Sequence, residues 1–514
     1  MTDEMRLPPE TPAPETPAPE TPAPDATLPP ESAHPATTPA RPPRGRLLLA
    51  AGGRASLALI AAASAAALAA GVLLVPGPTL APTVLALAVT PDRSDQSLVC
   101  AGGALGLTRG EDPQVTVVAD PRRLSAGAGL VETELTTSDA IDGGAGVVTL
   151  PREAPGDALA ASESVRANTP EVSGLAAAEC LTAARTAWLV GGATTVGRTT
   201  WIVLSNADAV NAAVDLQLWG DAGPIQVPGT SGIIVAAGAQ RIVPLAGLAV
   251  NEPSPVVRVT STGGSVAATL QTSIVRGLTP SGIAIVTPLG EAAVRHVIPA
   301  LPVINNQATL ESSTTDGGVD GLPALRLLAP GDENADVTVT LVPQQGALGL
   351  VTQLTLEAGF VLDLPFTELA DGEYGVIVES TVPIVVAGRA STAGGTTFGS
   401  TADVAADVEW FTPSPALAAG SDVLVAVAPL GNGQAALLHL LAPDGGAEVT
   451  IDGVPVTVPP GAVVAVPSAA NAGVRISTTG ILHASVTYRG DGLLASSRVL
   501  PPPSASGALT VFPN

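Results

Sequence analysis

The sequence Thr200-Trp-Ile-Val-Leu-Ser-Asn206, followed after a short turn by Ala213-Val-Asp-Leu-Gln-Leu-Trp219, decides the fold because the chain repeats this pattern three times. The other copies are Leu325-Arg-Leu-Leu-Ala-Pro330 with Asp336-Val-Thr-Val-Thr-Leu341, and Leu438-His-Leu-Leu-Ala-Pro443 with Ala447-Glu-Val-Thr-Ile-Asp452. In each copy the second segment alternates apolar and polar residues, which predicts a half-buried β-strand. The Pro, Gly, Asn and Asp residues between the two segments predict a hairpin turn.

Each copy also closes in the same way. The segments Val257–Ser261, Val376–Ser380 and Val474–Thr478 are each followed by a predicted strand that ends near an arginine, namely Arg276, Arg389 and Arg489. Turn signals recur about every 8–12 residues, which is typical of β-sandwiches. The sequence therefore predicts an all-β ectodomain of tandem immunoglobulin-like β-sandwich modules, at residues 199–290, 323–412 and 422–500. A β-propeller is the alternative, although its blades would be shorter and more than three would be needed.

Composition limits the possible partners. The chain has 514 residues and a formal net charge of −24, lysine is absent, and aromatic residues make up 2 %. The cores must therefore be built from small branched side chains. An acidic protein without a basic stripe repels phosphate backbones, so we expect no nucleic-acid partner.

The N-terminal part predicts a membrane anchor. Residues 1–54 form a Pro-rich tail with three copies of the unit Glu-Thr-Pro-Ala-Pro, which is typical of a disordered segment. Residues 55–75 carry no charge, and their number matches the roughly 20 residues that a transmembrane helix needs. Arginines stand only on the N-terminal side of this segment, so the positive-inside rule predicts a cytoplasmic tail and an extracellular remainder. We expect a single-pass plasma-membrane protein with an uncleaved signal anchor; cleavage near Ala86–Ala88 is the alternative.

Between the membrane segment and the repeats the sequence predicts a linker at 76–94 and an N-terminal β-rich region at 95–198. Ser97–Cys100 and Val115–Ala119 have the composition of strands, whereas Gly174–Ala184 fits a helical turn. Residues 501–514 are expected to be a C-terminal tail.

The two cysteines of the chain, Cys100 and Cys180, predict a disulfide bond. A pair of cysteines outside a membrane usually forms a structural bridge. Metal or redox chemistry would need more cysteines or a histidine partner, and no histidine lies between residues 35 and 295. On the chain-entropy model the bridge stabilises the fold by about 4–5 kcal/mol.

The stretch after Cys180 resembles a known family. Trp188-Leu-Val-Gly-Gly192, then Gly197-Arg198, then an apolar strand ending in Leu204-Ser-Asn206, is similar to actinobacterial, membrane-anchored, secreted proteins that form a numbered domain of unknown function. The family pattern has a proline after the asparagine, where this chain has Ala207. The resemblance implies a location and an all-β class, and it implies no catalytic residue.

Motifs that carry chemistry are mostly missing from the sequence. Without lysine there is no phosphate-binding loop or serine–lysine dyad, and the four histidines (His34, His296, His439 and His483) do not cluster in the sequence. We therefore expect no catalytic residue and no cofactor. A weak calcium candidate is Asp332, Asn334 and Asp336, whose oxygens alternate along the chain, but Val337 stands where a calcium loop has glycine. These residues are also common in ordinary turns.

Three functions remain after these exclusions. The first is a non-catalytic structural or interaction protein of the cell envelope, whose binding sites lie in loops that differ between modules, such as Asn305–Gly321 or Gly394–Asp407. The second is a carbohydrate-binding or carbohydrate-modifying cell-wall component. The third and weakest is a hydrolase. A cell-wall polymer or an envelope protein is the expected partner, in addition to the membrane that residues 55–75 would cross.

Overall fold

The regular structure of the described residues is almost wholly β-strand, which confirms the all-β class predicted from the alternating sequence. The computed structural model describes residues 87–89, 94–108, 114–137, 144–156, 158–313, 318–344, 349–392, 407–490, 492–502 and 509–511. The predicted tail at 1–54 and the predicted transmembrane helix at 55–75 lie outside these ranges. Within the ranges no helix has the length and apolar character to cross a membrane.

The described residues before Cys180 form ten strands. They are β1 (Leu87–Val89), β2 (Gln96–Cys100), β3 (Ala104–Leu107), β4 (Val115–Ala119), β5 (Pro121–Ala126), β6 (Val131–Glu134), β7 (Thr136–Thr137), β8 (Gly146–Leu150), β9 (Ala160–Asn168) and β10 (Ser173–Glu179). Small antiparallel sheets join them, in the orders β2-β8-β6, β10-β9-β5 and β3-β4. The strands predicted at Ser97–Cys100 and Val115–Ala119 correspond to β2 and β4.

The helical turn predicted at Gly174–Ala184 is wrong. Residues Ser173–Glu179 form β10, which pairs along its whole length with β9. The alanines of this segment are buried, with Ala176 and Ala177 both 0 % exposed. Tertiary burial therefore outweighs the helix propensity of alanine, because a small side chain lets neighbouring strands approach closely.

Three successive groups of strands follow, which we call units 1, 2 and 3. Unit 1 contains β11 (Thr186–Val190), β12 (Arg198–Asn206), β13 (Ala212–Gly220), β14 (Gly223–Ile225), β15 (Ile233–Val235), β16 (Ala239–Pro244), β17 (Val256–Gly263), β18 (Ala267–Arg276) and β19 (Thr279–Val286). Unit 2 contains β20 (Ala293–Val303), α1 (Asn306–Ser313), β21 (Ala324–Leu328), β22 (Ala335–Pro343), β23 (Leu350–Leu356), β24 (Val361–Pro365), β25 (Gly372–Ser391) and β26 (Val408–Phe411). Unit 3 contains β27 (Asp422–Val427), β28 (Ala435–Leu441), β29 (Ala447–Ile451), β30 (Val454–Val458), β31 (Val463–Ser468), β32 (Ala472–Thr478), β33 (His483–Gly490) and β34 (Leu493–Arg498). Short 3-10 turns at Leu245–Gly247 and Gly318–Gly321 complete the regular structure of the units.

The three units share one order of strand pairing. We letter the strands of a unit a to h along the chain and leave out the short strand β15 of unit 1. One sheet then has the order a-f-c-d and the other the order h-g-b-e. In unit 1 the first sheet is β11-β17-β13-β14 and the second is β19-β18-β12-β16. The short strand β15 also pairs with β13 of the first sheet. In unit 3 they are β27-β32-β29-β30 and β34-β33-β28-β31. In unit 2 the long strand β25 serves as both f and g, since its first half pairs with β20 and β22 and its second half with β21 and β26. Units 1 and 2 each begin at strand a, ahead of the expected starts at residues 199 and 323.

The predicted hairpin between the first two segments of each repeat is wrong. These segments are strands b and c, and in every unit they belong to different sheets, for example β12 beside β16 and β18 but β13 beside β17. The chain therefore crosses from one sheet to the other at Asn206, where the asparagine side chain donates hydrogen bonds to the carbonyls of Val210 and Val235. The polar residues in this connection mark a crossing over the core, which sequence does not distinguish from a hairpin turn.

The two sheets of a unit differ in burial. Strands c alternate between buried and exposed residues, as in β13, because the a-f-c-d sheet has one face in solvent. Strands b and h of the other sheet are mostly buried on both faces, as β12, β21 and β26 show, whereas its edge strands e, such as β24 and β31, are partly exposed. The described residues from Leu87 to Val511 form one compact body.

The two ends of the described chain come together. Strand β1 pairs antiparallel with β35 (Leu509–Val511), with Leu87 opposite Val511 and Val89 opposite Leu509. The segments expected to be a linker and a C-terminal tail thus each contain a short strand.

Candidate functional site

The carboxylate of Asp407 joins four parts of the chain at the middle of the protein. Its Oδ2 accepts hydrogen bonds from the backbone nitrogens of Leu175 in β10 (2.7 Å) and Leu494 in β34 (3.2 Å). Its Oδ1 accepts from Ile283 in β19 (3.2 Å) and from Val408 in β26 (3.0 Å). Strands β19, β26 and β34 are the h strands of the three units. One side chain thus fixes the N-terminal region and all three units to each other.

Two glycines make room for this carboxylate. Gly174 has a φ of +146°, and a Cβ atom there would lie 2.4 Å from Asp407 Oδ1. Gly282 has a φ of +135°, and its Cβ would lie 2.7 Å from the backbone nitrogen of Val408. Each residue therefore needs both the conformational freedom of glycine and the absence of a side chain.

The centre is sealed from solvent. Asp407 is 0 % exposed and Glu409, two residues further along, is 1 % exposed. Burial raises the pKa of Asp407 to about 7, although its four backbone hydrogen bonds act in the opposite direction. Burial, and then the nearby charge of Asp407, raises the pKa of Glu409 well above its usual value. Both carboxyl groups therefore lie where solvent does not reach.

Arg326 in β21 holds units 1 and 2 together. It is the largest fully buried side chain, and its guanidinium binds Asp363 of β24 through two hydrogen bonds of 2.8 and 2.9 Å. The same group reaches into unit 1 and donates to the backbone carbonyls of Gly192 (2.8 Å), Pro253 (3.0 Å) and Pro255 (3.2 Å). These five hydrogen bonds match the five N–H groups of a guanidinium. The group also lies 4.7 Å from the ring centre of Trp410, a cation–π contact.

The three closing arginines identified in the sequence all bind acidic residues of unit 2. Arg276 and Arg198 of unit 1 bind Asp320, with nitrogen–oxygen distances of 3.1 and 2.7 Å. Arg389 lies 3.8 Å from Asp363, and Arg489 of unit 3 forms an ion pair with Glu373. Burial alone would raise the pKa of Asp320, but the charges of Arg276 and Arg198 outweigh it and hold that pKa below its usual value. Arg276 and Arg489 therefore make contacts between units, whereas Arg389 pairs with an acidic residue of its own unit.

The three described histidines lie in strands β20, β28 and β33 of units 2 and 3. His296 Nε2 lies 2.8 Å from the carbonyl oxygen of Ile384, and His483 Nδ1 lies 2.7 Å from that of Ser414. His439 is 0 % exposed, and its Nε2 lies 2.9 Å from Thr487 Oγ1. Burial, and then the charge of Arg489, lowers the pKa of His439 to about 3. These are hydrogen-bonded core or interface residues, as expected for single histidines in strands. His34 lies outside the described residues.

The predicted disulfide between Cys100 and Cys180 is confirmed. Their sulfurs are bonded and their Cα atoms are 4.3 Å apart. The bond joins the end of β2 to the residue after β10. Beside it, Val99 and Leu181 exchange two backbone hydrogen bonds of 2.7 and 2.8 Å. The bridge thus fixes the first sheet of the N-terminal region to the central strand β10.

The weak calcium candidate lies in the connection between strands b and c of unit 2. Asn334 Oδ1 accepts a hydrogen bond from the backbone nitrogen of Ala358 (3.0 Å), and Asp336 Oδ1 accepts one from Thr355 Oγ1 (2.9 Å). Asp332 is exposed. Two of the three side chains therefore act as ordinary turn and strand-pairing residues.

The loop Asn305–Gly321, singled out in the sequence, is an insertion that only unit 2 carries. Strands a and b are joined by residues 304–323 in unit 2, against 191–197 and 428–434 in units 1 and 3. The insertion contains α1, whose N-terminus is fixed because the carboxylate of Asp371 accepts hydrogen bonds of 2.9 Å from the backbone nitrogens of Asn305 and Asn306. The side chain of Asn306 in turn donates to the carbonyls of Phe366 (3.0 Å) and Leu369 (2.8 Å).

An open groove of about 500 Å³ lies between α1 and the segment that holds it. Its polar lining consists of Asn305, Gln307, Thr367, Glu368 and Asp371. Such a groove offers amide, hydroxyl and carboxylate groups on a fixed backbone, which suits a polar ligand. The second loop singled out, Gly394–Asp407, lies outside the described residues except for Asp407.

Sequence reasoning missed the central carboxylate. The segment Asp407-Val-Glu-Trp-Phe411 does contain a signal, because two carboxylates stand in an apolar run of a chain in which only 13 % of residues are charged.

The four tryptophans are packing residues. Trp201 is 4 % exposed and Trp410 5 %, while Trp188 and Trp219 stack with ring centres 5.2 Å apart.

Comparison with solved structures gives only distant likenesses. A protein of Thermotoga maritima is 16 % identical with a TM-score of 0.19, over 24 % of this chain and 93 % of that chain. An anti-sigma factor domain-containing protein from Clostridium clariflavum is 8 % identical with a TM-score of 0.12, over 81 % of this chain and 99 % of that chain. A biofilm-associated protein domain is 10 % identical with a TM-score of 0.11, over 81 % and 91 %. TM-scores this low carry no argument about fold or function.

No curated protein is significantly similar to the chain. A family profile described as "Family of unknown function (DUF5719)" matches residues 136–479, from β7 of the N-terminal region to the end of β32 in unit 3. Since this match spans well over half of the sequence, the chain belongs to the DUF5719 family of unknown function.

Proposed function

We propose that this protein is a membrane-anchored, extracytoplasmic interaction protein of the cell envelope, without catalytic activity. The observation that carries the proposal is helix α1 of the insertion, whose N-terminus is held by Asp371 and which borders an open polar groove. Loops that differ on a common β-scaffold are frequent binding sites, because the scaffold fixes their geometry. The cell-envelope location rests on the predicted helix at 55–75 and on the disulfide Cys100–Cys180, a bond typical of oxidising compartments.

Each unit is proposed to be a variant of the immunoglobulin-like sandwich, so that the ectodomain is a tandem of such modules. The pairs b–e and c–f occur in every unit and match the pairs B–E and C–F of immunoglobulin domains. Strands a and g differ, since a lies beside f and g beside b, whereas immunoglobulin domains place A in the B–E sheet and G beside F. Within each unit, strands a and g therefore lie in the sheet opposite to the one that holds their counterparts in immunoglobulin domains.

Protease treatment of intact protoplasts tests the location. If residues 1–54 are cytoplasmic and the rest is outside, added protease removes the units and leaves a protected N-terminal stub. Release of the protein into the medium without any stub would support cleavage near Ala86–Ala88 instead. Units that stay intact on whole protoplasts and are digested after lysis would contradict the proposal.

Binding through the groove is tested by charge reversal at its rim. Glu368 lines the groove and is exposed, so Glu368→Arg changes the ligand surface without disturbing the core. The matched control is Glu291→Arg, at an exposed glutamate in the connection between units 1 and 2. The full chain is used as bait on detergent-solubilised envelope proteins. The proposal expects a co-purified protein that is lost with Glu368→Arg and kept with Glu291→Arg. Equal retention by both variants would show that the groove is not the binding site.

The second candidate is a carbohydrate-binding protein. It is favoured by the lining of the groove, because the side chains of Asn305, Gln307 and Asp371 are groups that hydrogen-bond to sugar hydroxyls. No aromatic residue is among the described groove residues to stack on a sugar ring. Binding to cell wall that has been stripped of protein, abolished by Glu368→Arg, would favour this candidate over a protein partner.

A further inference from the structure

Strand β23 of unit 2 is an outer edge without the usual protection. It is strand d, the last strand of the sheet β20-β25-β22-β23, and among the described residues it pairs only with β22. Its seven residues, Leu350-Val-Thr-Gln-Leu-Thr-Leu356, contain no charged residue and no proline. The outward backbone N–H and C=O groups of such an edge can receive another strand.

The corresponding edges of the other sheets are protected or short. Proline stands in β14, β24, β30 and β31, at Pro224, Pro365, Pro455 and Pro467 respectively. Strand β16 carries Arg241 and is covered by β7, and β15 has only three residues. Proline, charge, short length and covering are the devices that prevent edge-to-edge association. Strand β23 has none of them along seven residues.

The exposure of β23 agrees with an unused edge. Leu350 is 44 % exposed and Val351 57 %, although both are apolar. Three residues of β23 point to the solvent side, and none of them is charged: Val351 is apolar, and Gln353 and Thr355 are polar. The nearest acid on the neighbouring strand, Asp336, already accepts a hydrogen bond from Thr355.

We infer that the occupant of this edge is β23 of a second copy of the same chain, paired antiparallel about Gln353. In this register Leu350 lies opposite Leu356, Val351 opposite Thr355, and Thr352 opposite Leu354, while the two Gln353 residues face each other. The arrangement has two-fold symmetry, so both copies use the same surface and the contact closes on itself. Two copies with a net charge of −24 each repel one another, and contact is most favourable where the chain carries no charge.

The pairing is expected to be weak and reversible. One pair of seven-residue strands buries less than the roughly 1,000 Å² of a stable interface. Attachment of both copies to one membrane would raise their effective concentration toward the millimolar range and favour the dimer there. The dimer of the anchored protein is thus expected to dissociate readily on dilution in detergent.

A single cysteine at the symmetry centre tests the register. The native cysteines are bonded to each other, so the only free thiol of Gln353→Cys is the new one. Directly opposed residues of antiparallel strands have Cα separations that a disulfide can span. Mild oxidation of the full chain in its membrane should convert Gln353→Cys to a covalent dimer. The matched control Thr457→Cys, exposed on strand d of unit 3, should stay monomeric.

The off-centre positions distinguish this register from random collision. Val351→Cys and Thr355→Cys should each cross-link poorly alone and efficiently when the two variants are co-expressed. A dimer of Gln353→Cys no more abundant than that of Thr457→Cys would overturn the inference. So would a cross-link of Gln353→Cys to another protein in place of itself, because β23 would then receive a foreign strand.

Charge at the same position gives an independent measurement. Gln353→Glu would place two carboxylates opposite each other, and Gln353→Lys two ammonium groups, so each variant should lose the energy transfer between two differently labelled copies of the chain in the same membrane. A mixture of the two variants should regain it. A dimer that persists in both single variants would also overturn the inference.

Discussion

The carboxylate of Asp407 accepts a 2.7 Å hydrogen bond from the backbone nitrogen of Leu175, a residue 232 positions earlier in the chain. Leu175 belongs to the N-terminal region and Asp407 to unit 2, so this bond crosses between parts that the sequence separates. Three further backbone nitrogens bind the same carboxylate. The contact between the N-terminal region and the three units therefore rests in part on a single side chain.

We predict that Asp407→Ala strongly destabilises the whole protein. The change leaves four buried N–H groups without acceptors, and each unsatisfied buried donor costs about 1–3 kcal/mol, so a loss of about 3–5 kcal/mol is expected after relaxation. Asp407→Asn keeps one acceptor oxygen and should lose less. Thermal unfolding of the purified protein measures both. Asp422→Ala, which removes a half-exposed ion pair with Arg475, serves as control and should cost no more than about 1 kcal/mol.

Arg326 and Asp363 are expected to be strongly coupled. Replacing Arg326 by Met removes five hydrogen bonds and leaves Asp363 with only the more distant Arg389, at 3.8 Å, as a cationic partner, so a loss of about 3–5 kcal/mol is expected. The double variant Arg326→Met with Asp363→Leu should lose less than the sum of the two single variants, because neither charge is then left alone. Denaturant unfolding of the four proteins gives the coupling energy. Additive losses would show that the pair does not act as a unit.

Glu163 should make the protein less stable as the pH rises. Burial, opposed by the charge of Arg123, raises the pKa of Glu163 from 4.5 to about 7 in the folded protein. The folded state thus prefers the protonated form, so the contribution of Glu163 is complete below pH 4.5 and is lost as the pH rises through about 7. Glu163→Gln cannot ionise. Its stability relative to the wild type should therefore increase between pH 4.5 and 7.5, as followed by the melting temperature. A difference that is constant with pH would contradict this expectation.

His439 should act in the opposite sense. Burial, and then Arg489, lowers its pKa from 6.5 to about 3 in the folded protein, so the folded state prefers the neutral imidazole. Its contribution is complete above pH 6.5 and is lost as the pH falls toward 3. His439→Gln should weaken the acid destabilisation of the protein in this range. The variant His483→Gln serves as a comparison, because His483 is only half-buried whereas His439 is buried.

The disulfide should contribute through the unfolded chain. Its two cysteines are 80 residues apart, and closing a loop of that size is expected to stabilise the protein by about 4–5 kcal/mol. The double variant Cys100→Ser with Cys180→Ser should therefore melt well below the wild type. A reductant should lower the melting temperature of the wild type toward that of the variant and leave the variant unchanged. A wild type insensitive to full reduction would contradict the prediction.

The sequence by itself determined the class of the fold and the existence of its repeat. Alternation of apolar and polar residues marked the c strands, such as Ala213–Trp219, because each has one face in the core and one in solvent. The disulfide followed from the number of cysteines and their expected compartment. The segment Asn305–Gly321 was singled out as one of the loops that differ between the repeats.

Tertiary structure alone decided which strands are neighbours. Strands b and c are adjacent in sequence but lie in different sheets, since b is buried on both faces and pairs with g and e. The alternation of apolar and polar residues shows which face of a strand is buried. It gives no information on which strand is its neighbour in the sheet. The roles of Arg326 and Asp407 were hidden for the same physical reason. Their bonds join residues 134 and 232 positions away, and such contacts depend on how the units pack against each other.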